Sequence, residues 1–308
     1  MGYISYVYKK QFVCRYDKEV GVPYHSYLDF DGLKQEANTF INSSNVEIHY
    51  FCYFYENYRE DKLVLFLHGL GAGHAAYLAE INELAKNGYK VLTLDYTGCG
   101  ESKGKILKSL NEPTRDVIDL LNHLSLKTQI VLVGHSMGGF TALNILNLKK
   151  DITKAVVISG FLSVASELGS QIKSKFVYKH ILKYESKVEP DYYKLDNIEF
   201  LKNTTDDLFF IQSDDDQMVP YSTALKVVEE IDNPHIKTLR VTGKKHNPNY
   251  SLEAVQYMNE VFGKYYALIN KKEIRTDEER VAYFKDVSLD KLVEQDKDII
   301  KAICDFIA

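Results

Sequence analysis

The stretch QIVLVGHSMGGFTALNIL, residues 129–146, has a serine between an apolar strand-like run and an apolar helical pattern. Gly134 lies two positions before Ser136, and Gly138 lies two positions after it. A sharp strand-to-helix turn needs such small neighbours, because side chains two residues from its apex would collide. The turn would raise the Ser136 hydroxyl above the sheet and bring a helix amino terminus beside it. The stretch therefore predicts a nucleophile elbow with Ser136 at its apex.

Strand-like runs alternate with helical patterns on both sides of this turn. The predicted strands cover residues 46–55, 62–69, 90–96, 130–136, 152–160, 207–213 and 236–242. The predicted helices between them cover residues 74–88, 111–124, 139–150 and 221–231. Continuous apolar strands separated by helices are typical of a parallel sheet that is covered on both faces. The sequence therefore predicts an α/β fold with a mostly parallel, doubly wound sheet.

Two segments interrupt this alternation. Residues 161–206 separate two predicted core strands by far more chain than a short loop requires, so we expect a small inserted helical cap. Residues 1–45 are predicted to form an N-terminal β extension, and residues 46–160 and 207–308 to form the core. Within the core, residues 273–308 have helical apolar spacing and are expected to provide its last helix after an insertion at 270–287.

A serine hydroxyl is a weak nucleophile and needs a base, and the base needs a carboxylate that orients it. In a fold with this elbow, both residues are expected after the serine, the acid first. Three histidines follow Ser136, namely His180, His235 and His246. His246 lies directly after a predicted strand, at the sheet edge that also carries Ser136. His235 precedes that strand and His180 lies in the predicted cap, so His246 is the predicted base.

The acid is expected at the end of the preceding predicted strand. The stretch DLFFIQSDDDQMVP offers Asp214, Asp215 and Asp216 there, whereas the strand at 152–160 ends without a carboxylate. An acidic triplet is also typical of a solvated turn, so one member can act while the others face water. The spacing to Val219 and Pro220 favours Asp216, although it does not exclude Asp214 or Asp215.

A tetrahedral intermediate needs two N–H donors that are already oriented toward its oxyanion. Met137 follows the nucleophile and is predicted to give one of them. The loop HGLGAG, residues 68–73, is predicted to give the other through Leu70. Three further histidines are expected to have structural roles: His68, His74 and His135.

Composition narrows the class of protein. The net charge of −5 disfavours nucleic-acid binding, which favours a basic surface. No apolar run is long enough to span a membrane, and the first residues do not have the pattern of a signal peptide. The four cysteines are scattered without a CxxC motif, so we expect reduced thiols and a cytoplasmic protein. No cofactor and no metal site is predicted, and the choice between monomer and homodimer stays open.

The motifs HGLG, GCGES, GHSMGG, DQMVP and GKKHN resemble those of the α/β-hydrolase superfamily in order and spacing. The resemblance covers about residues 46–308. It is strongest to bacterial serine hydrolases of the serine-aminopeptidase-like and monoglyceride-lipase-like group. It implies a Ser-His-Asp triad and hydrolysis of an ester, thioester or amide. Dehalogenases of this superfamily have an aspartate at the elbow, and Ser136 disfavours that chemistry.

The sequence is therefore interpreted as a serine carboxylesterase that acts on a small or medium acyl ester. A peptidase or a thioesterase of the same fold is the alternative within enzymes. A peptidase that recognises a free amino terminus needs a carboxylate in its pocket, for which Glu167, Glu185 and Glu189 are the candidates. A non-catalytic protein that binds a ligand on the same fold is the alternative from another class.

Overall fold

A computed structural model describes residues 13–308. The expected absence of a signal peptide and the first part of the predicted 1–45 extension concern residues 1–12, which lie outside this range. The first described residues contact the loop that follows one of the core strands. There the Arg15 guanidinium donates to the carbonyl oxygens of Gly100, Ser102 and Gly104 at 2.7, 3.0 and 2.9 Å. These bonds hold the beginning of the described chain against the core.

An eight-stranded sheet forms the centre of the fold. Its strands are β1 (Lys34–Ile41), β2 (Glu47–Phe54), β3 (Lys62–Leu67), β4 (Lys90–Leu94), β5 (Gln129–His135), β6 (Lys154–Ile158), β7 (Asp207–Ser213) and β8 (Ile236–Val241). Their order in the sheet is β1-β2-β4-β3-β5-β6-β7-β8. β2 pairs antiparallel with both β1 and β4, and all other neighbours are parallel. The predicted mostly parallel sheet is therefore confirmed.

Helices connect the strands and follow the last one. They are α1 (Leu78–Lys86), α2 (Glu112–Leu124), α3 (Met137–Leu148), α4 (Val164–Gln171), α5 (Lys175–Val188), α6 (Pro190–Tyr193), α7 (Asn197–Asn203), α8 (Leu225–Glu229), α9 (Leu252–Asn270), α10 (Asp277–Phe284), α11 (Leu289–Leu292) and α12 (Lys297–Ile307). Within residues 13–308, none of these helices is long and apolar enough to cross a membrane.

Apolar side chains cover both faces of the sheet, as the continuous apolar strands predicted. In β3, Leu63, Leu65 and Leu67 belong to the core cluster that α2 and α3 complete. Val64 and Phe66 point to the opposite face and belong to the cluster that α1 and α12 complete. Side chains alternate along a strand, so burial of both sets requires helices on both faces. The arrangement is that of a doubly wound sheet.

The C-terminal stretch differs in part from the prediction. Residues 273–308 form three helices, α10 to α12, of which only α12 packs against the sheet. Capping side chains explain the division, because Ser288 accepts the Lys291 N–H and Asp296 accepts the Ile299 N–H. α10 and α11 pack instead with α9 in a separate cluster. The prediction of a last core helix is correct for α12 and wrong for α11, whereas α10 lies within the predicted insertion at 270–287.

Four helices, α4 to α7, lie between β6 and β7. Polar side chains attach them to the core. Glu185 accepts a hydrogen bond from the Ser109 hydroxyl, and Glu189 forms an ion pair with Arg115. The Asn197 amide donates to Asn144 Oδ1 at 2.9 Å. These side chains are largely buried, so they fix this helical segment on the core through specific contacts.

Parallel strands align their carboxyl ends at one edge of a sheet. The loops after β3, β5, β7 and β8 therefore meet at the same edge. These loops contain Leu70, Ser136, Asp216 and His246, in that order along the chain. The fold thus brings distant parts of the sequence to one edge of the sheet.

Glu80 on α1 is a buried carboxyl group that connects this edge to the helix layer. Its Oε1 accepts a hydrogen bond from the Asn249 amide at 3.3 Å, three residues after His246. Burial raises the pKa of Glu80 from 4.5 to about 7. The folded protein therefore keeps a proton here that the unfolded chain releases at lower pH.

The free energy of unfolding of wild type is expected to fall between pH 5 and pH 8, and we expect it to fall less in Glu80→Gln. Between the two pKa values the unfolded state binds fewer protons, so wild-type stability falls as pH rises. The difference between 4.5 and about 7 corresponds to on the order of 3 kcal/mol. Glutamine cannot ionise and removes this contribution. Urea unfolding of both proteins at pH 5 and pH 8 measures it, and identical pH dependences would contradict the prediction.

Candidate active site

Ser136 occupies a strained turn between β5 and α3. Its φ is 56° and its ψ is −119°, a conformation that residues with a side chain rarely adopt. The Ser136 N–H donates to the Ile158 carbonyl at 2.8 Å, and the Ser136 carbonyl accepts the Phe140 N–H at 3.1 Å. Ser136 itself is half-buried, although the residues on both sides of it are buried. These bonds hold the serine in the strained turn while its side chain stays accessible.

Gly134 and Gly138 leave the space that this turn requires. A Cβ on Gly134 would lie 2.2 Å from the Gly138 carbonyl oxygen. A Cβ on Gly138 would lie 1.9 Å from the carbonyl oxygen of Leu67, at the end of β3. Both contacts involve backbone atoms, which cannot rotate away as a flexible side chain could. The two glycines are thus required by the close approach of β3, β5 and α3.

The buried Asp216 carboxylate and the half-buried His246 ring form a hydrogen-bonded pair. His246 Nδ1 donates to Asp216 Oδ2 at 2.8 Å. The other carboxylate oxygen, Oδ1, accepts the Met218 and Val219 N–H groups at 2.9 and 3.0 Å. The Asp216 side chain is completely buried, and His246 is 12% exposed. These three bonds fix the orientation of the carboxylate. Because Nδ1 of His246 is bonded to Asp216, Nε2 is the ring nitrogen that remains available.

The neighbouring aspartates have different partners. Asp214 accepts a hydrogen bond from the Thr242 hydroxyl at 2.8 Å. Asp215 accepts from the Ser213 hydroxyl at 2.6 Å and pairs with the Lys245 ammonium at 2.9 Å. Partial burial alone would raise the pKa of Asp215, but the bonds from Ser213 and Lys245 lower it to about 2. Of the three carboxylates, only Asp216 contacts a histidine ring in the described structure.

A chain of hydrogen bonds joins three loops of this site. The Gly69 N–H donates to the Tyr77 hydroxyl at 3.0 Å, and that hydroxyl contacts His135 Nδ1 at 3.0 Å. His135 Nε2 donates to the carbonyl oxygen of His246 at 2.8 Å, because a carbonyl can only accept. Burial and the nearby His246 ring lower the pKa of His135 to about 3. The neutral ring thus has its proton on Nε2, and Tyr77 donates to Nδ1.

The same contacts bring the predicted base next to the elbow. The ring centroids of His135 and His246 are 4.9 Å apart. Since His135 directly precedes Ser136, the loop that contains His246 lies against the elbow. His235 lies at the other end of the sheet, where its Nδ1 contacts Asp207 at the start of β7. His180 lies on α5 in the helical segment.

The loop after β3 is also held by buried polar groups. His68 Nδ1 donates to the Gly69 carbonyl at 2.7 Å, and burial lowers the pKa of His68 to about 4. The Asp95 carboxylate accepts the His74 N–H and ring Nδ1–H at 2.7 and 2.9 Å. A neutral His68 and a carboxylate-bound His74 both fit the structural roles expected from the sequence.

Ser136 opens onto a cavity of about 420 Å³. Leu70 and Met137, the predicted oxyanion donors, line it together with Ser136. Its remaining walls come from the following residues: Leu110, Phe161, Glu167, Leu168, Gln171, Ile172, Gln217, Met218 and Val219. Most of these side chains are apolar, which is typical of a small-molecule pocket. A larger groove of about 540 Å³ is lined by none of the predicted site residues.

The three glutamates considered for an amino terminus are separated in the structure. Glu185 and Glu189 are used to attach the helical segment to the core, through Ser109 and Arg115. Glu167 lines the cavity beside Ser136. Sequence analysis missed Tyr77, because its link to Gly69 and His135 depends on how α1 and the loop after β3 pack. No spacing pattern in the sequence indicates that link.

The strand order, the elbow and the loops at one sheet edge define an α/β-hydrolase. Within that class, residues 58–233, more than half of the chain, match the family described as serine aminopeptidase, S33. The chain belongs to this family.

Known proteins similar to this chain include esterases, lipases and other hydrolases. An sn-1-specific diacylglycerol lipase of Mus musculus is 34% identical over 114 residues, 35% of this chain and 36% of the lipase. A 2-hydroxy-6-oxo-6-(2'-aminophenyl)hexa-2,4-dienoic acid hydrolase of Metapseudomonas resinovorans is 26% identical over 44% of this chain and 46% of that protein. The matched regions thus span less than half of either relative.

A solved structure shares the fold over most of the chain. The esterase of Pyrococcus furiosus superposes with a TM-score of 0.58, covering 83% of this chain and 96% of the esterase. Sequence identity is 19%, so the likeness concerns the fold. It extends the similarity well beyond the region that the family match covers.

We expect Gly138→Ala to destabilise the fold by about 3 kcal/mol or more, because its Cβ would collide with the Leu67 carbonyl. Gly263→Ala on α9 is the matched control, since a Cβ there meets no atom within 4 Å. That change should stabilise the helix by about 0.5–1 kcal/mol. Urea unfolding compares the two variants with wild type, and equal tolerance of both would be inconsistent with the described elbow.

Proposed function

We propose that the protein is a serine carboxylesterase that cleaves small or medium acyl esters. The observation that carries the proposal is the Asp216–His246 hydrogen bond at 2.8 Å beside the strained Ser136 turn. One sheet edge has an accessible serine, a buried carboxylate and an imidazole that the carboxylate orients. These are the three groups of a catalytic triad. Similarity to lipases and esterases supports an ester as the substrate.

In the proposed mechanism Ser136 Oγ attacks the acyl carbon while His246 Nε2 removes its proton. Asp216 keeps the second imidazole proton on Nδ1 and stabilises the imidazolium that forms. His246 then donates its proton to the leaving alcohol, and the acyl group remains on Ser136. Water, activated by the same histidine, attacks the acyl-enzyme and releases the acid. None of these steps requires a cofactor or a metal ion.

The oxyanion of each tetrahedral intermediate is proposed to bind the Leu70 and Met137 N–H groups. Met137 is the first residue of α3, where free N–H groups and the helix dipole favour negative charge. Gly69 N–H is occupied by Tyr77, so it is not assigned this role. The hydrogen bonds of His68 and Tyr77 to Gly69 hold the loop that presents Leu70.

Residues 161–206 are proposed to act as a cap that selects the substrate, because α4 contributes Glu167, Leu168 and Gln171 to the cavity. We also propose a cytoplasmic location, since Cys52, Cys99 and Cys304 are buried thiols rather than disulfides. A small acyl compound is the proposed partner of the site.

An aminopeptidase activity is the second candidate function. The description of the matched family favours it, and Glu167 is a carboxyl group beside Ser136. Hydrolysis of aminoacyl amides, compared with acyl esters of the same size, separates the two candidates.

We expect Ser136→Ala to lower kcat for p-nitrophenyl esters of two to twelve carbons by about 10⁴-fold or more, because the nucleophile is lost. Labelling by a fluorophosphonate probe should disappear in the same variant. Far-ultraviolet circular dichroism controls for folding. If wild type neither hydrolyses these esters nor reacts with the probe, the proposed esterase function is wrong and a non-catalytic role gains support.

Asp216→Asn should lower kcat by about 10⁴-fold, because an amide no longer holds the required His246 tautomer. Asp214→Asn and Asp215→Asn are matched controls, and their losses should be far smaller because neither carboxylate bonds a histidine ring. Steady-state kinetics on one ester measures all three variants. A loss at Asp215 equal to that at Asp216 would contradict the assignment of the acid.

A further inference from the structure

A second cavity adjoins the one onto which Ser136 opens. Its volume is about 350 Å³, compared with about 420 Å³ for the cavity at Ser136. Consecutive residues of the chain line different cavities at two places. Leu110 lines the cavity at Ser136, and Asn111 lines the second cavity. Phe161 and Leu162 are divided between the two cavities in the same way. The two cavities therefore share a wall.

Two stacked phenylalanine rings form part of this wall. Phe161 lines the cavity at Ser136, and Phe140 lines the second cavity. The centroids of the two rings are 4.5 Å apart, and the ring planes differ by 22°. Rings at this distance are in van der Waals contact, so nothing lies between them. At this point the Phe140–Phe161 pair separates the two cavities.

Backbone packing fixes the position of the Phe140–Phe161 pair. Phe140 follows Gly139 on α3, and Phe161 follows Gly160 in the loop after β6. A Cβ on Gly160 would lie 2.6 Å from Val157 Cγ1 and 3.1 Å from the Gly139 Cα. This close approach of the two glycines brings the residues that follow them together. Both phenylalanines are buried, so the pair belongs to the packed core.

The cavity at Ser136 is suited to a linear hydrocarbon chain, because Leu110, Leu168 and Ile172 belong to its apolar walls. Each methylene group that a substrate buries there should raise its affinity about fourfold. This gain ends where the chain meets the Phe140–Phe161 pair, since rings in a close-packed interior move aside only at a cost in free energy. A longer chain must therefore leave its end in water.

We propose that the Phe140–Phe161 pair sets the longest hydrocarbon chain that the cavity at Ser136 accepts, by closing it off from the second cavity. This inference rests on the proposed esterase function and identifies the residues that determine its chain-length specificity. Leu162, Val164 and Leu195 give the second cavity apolar side chains of its own. Removal of the two rings would therefore extend the cavity at Ser136 into another partly apolar space.

Esters of increasing chain length test the proposal through kcat/KM, below the critical micelle concentration of each ester. p-Nitrophenyl esters of two to fourteen carbons vary the acyl chain, and alkyl acetates of the same lengths vary the alcohol. In the series whose chain enters the cavity, we expect wild-type kcat/KM to rise about fourfold per methylene group and to stop rising at a limiting length. A rise without a limit, or no dependence on chain length in either series, would overturn the proposal.

Phe161→Ala should move this limit to longer chains. For the ester two carbons beyond the wild-type limit, kcat/KM relative to the ester at the limit should rise about tenfold, the value of burying two methylene groups. Phe140→Ala combined with Phe161→Ala should move the limit further, because the second cavity then joins the first. Each ratio compares two esters on one variant, so a general loss of activity cancels.

Phe209→Ala in β7 is the matched control, because it removes a buried ring that lines neither cavity. Its limiting length should equal that of wild type. Far-ultraviolet circular dichroism checks folding, and Phe161→Leu should give a smaller shift in the same direction if the alanine variants do not fold. An unchanged limit in every folded Phe161 variant, or an equal shift in Phe209→Ala, would overturn the proposal.

Binding measurements separate this proposal from the proposed reaction. Calorimetric titration of Ser136→Ala with the same esters gives their dissociation constants without turnover. The dissociation constant should fall with each added carbon up to the limiting length, and Phe161→Ala in the same background should move that length upward. If wild type hydrolyses no ester yet this shift in binding is found, the esterase function fails while the role of the Phe140–Phe161 pair stands. Identical binding profiles with and without Phe161→Ala would overturn that role.

Discussion

The left-handed turn at Ser136 is the constraint on which the rest of the site depends. A φ of 56° at a residue with a side chain costs free energy, so the surrounding structure must enforce it. β5 and α3 enforce it by approaching each other and β3 so closely that Gly134 and Gly138 have no room for a Cβ. The same approach puts the end of β3, and with it Leu70, beside the serine. The close packing of β3, β5 and α3 is therefore also what holds Ser136 in its strained turn.

The hydrogen-bond chain that runs from the loop after β3 to His246 consists of neutral groups. Gly69, Tyr77 and His135 form a hydrogen-bond chain that reaches the carbonyl of His246 without a formal charge. Asp216 is fully buried and bonds the ring of the same histidine. A second charge on His135 would oppose formation of an imidazolium on His246, so the low pKa of His135 favours the proposed chemistry. The hydrogen-bond chain can thus position His246 without competing for the proton on its ring.

Sequence patterns were sufficient to predict the sheet, because apolar strands with helical connections are local signals of a doubly wound fold. Strand order also predicted that His246 and one aspartate would meet, and the structure pairs His246 with Asp216. The choice among Asp214, Asp215 and Asp216 depends on the direction in which each side chain points. Sequence spacing alone does not determine that direction. Tyr77 could not be found, since its partners come from separate loops. Capping at Ser288 and Asp296 divided a stretch that looked like one helix.

The buried glutamates of the helical segment differ in whether the protein itself provides them with partners. Glu185 and Glu189 bond Ser109 and Arg115 of the core, so they orient the segment and are satisfied by the protein itself. Glu167 lies on the preceding helix, α4, and its Oε2 has no such partner. A segment held only by apolar packing could tolerate rotation about its axis, which would move Glu167 relative to Ser136. Directional contacts at Glu185 and Glu189 oppose that rotation, and they therefore help to keep Glu167 in place at the wall of the cavity.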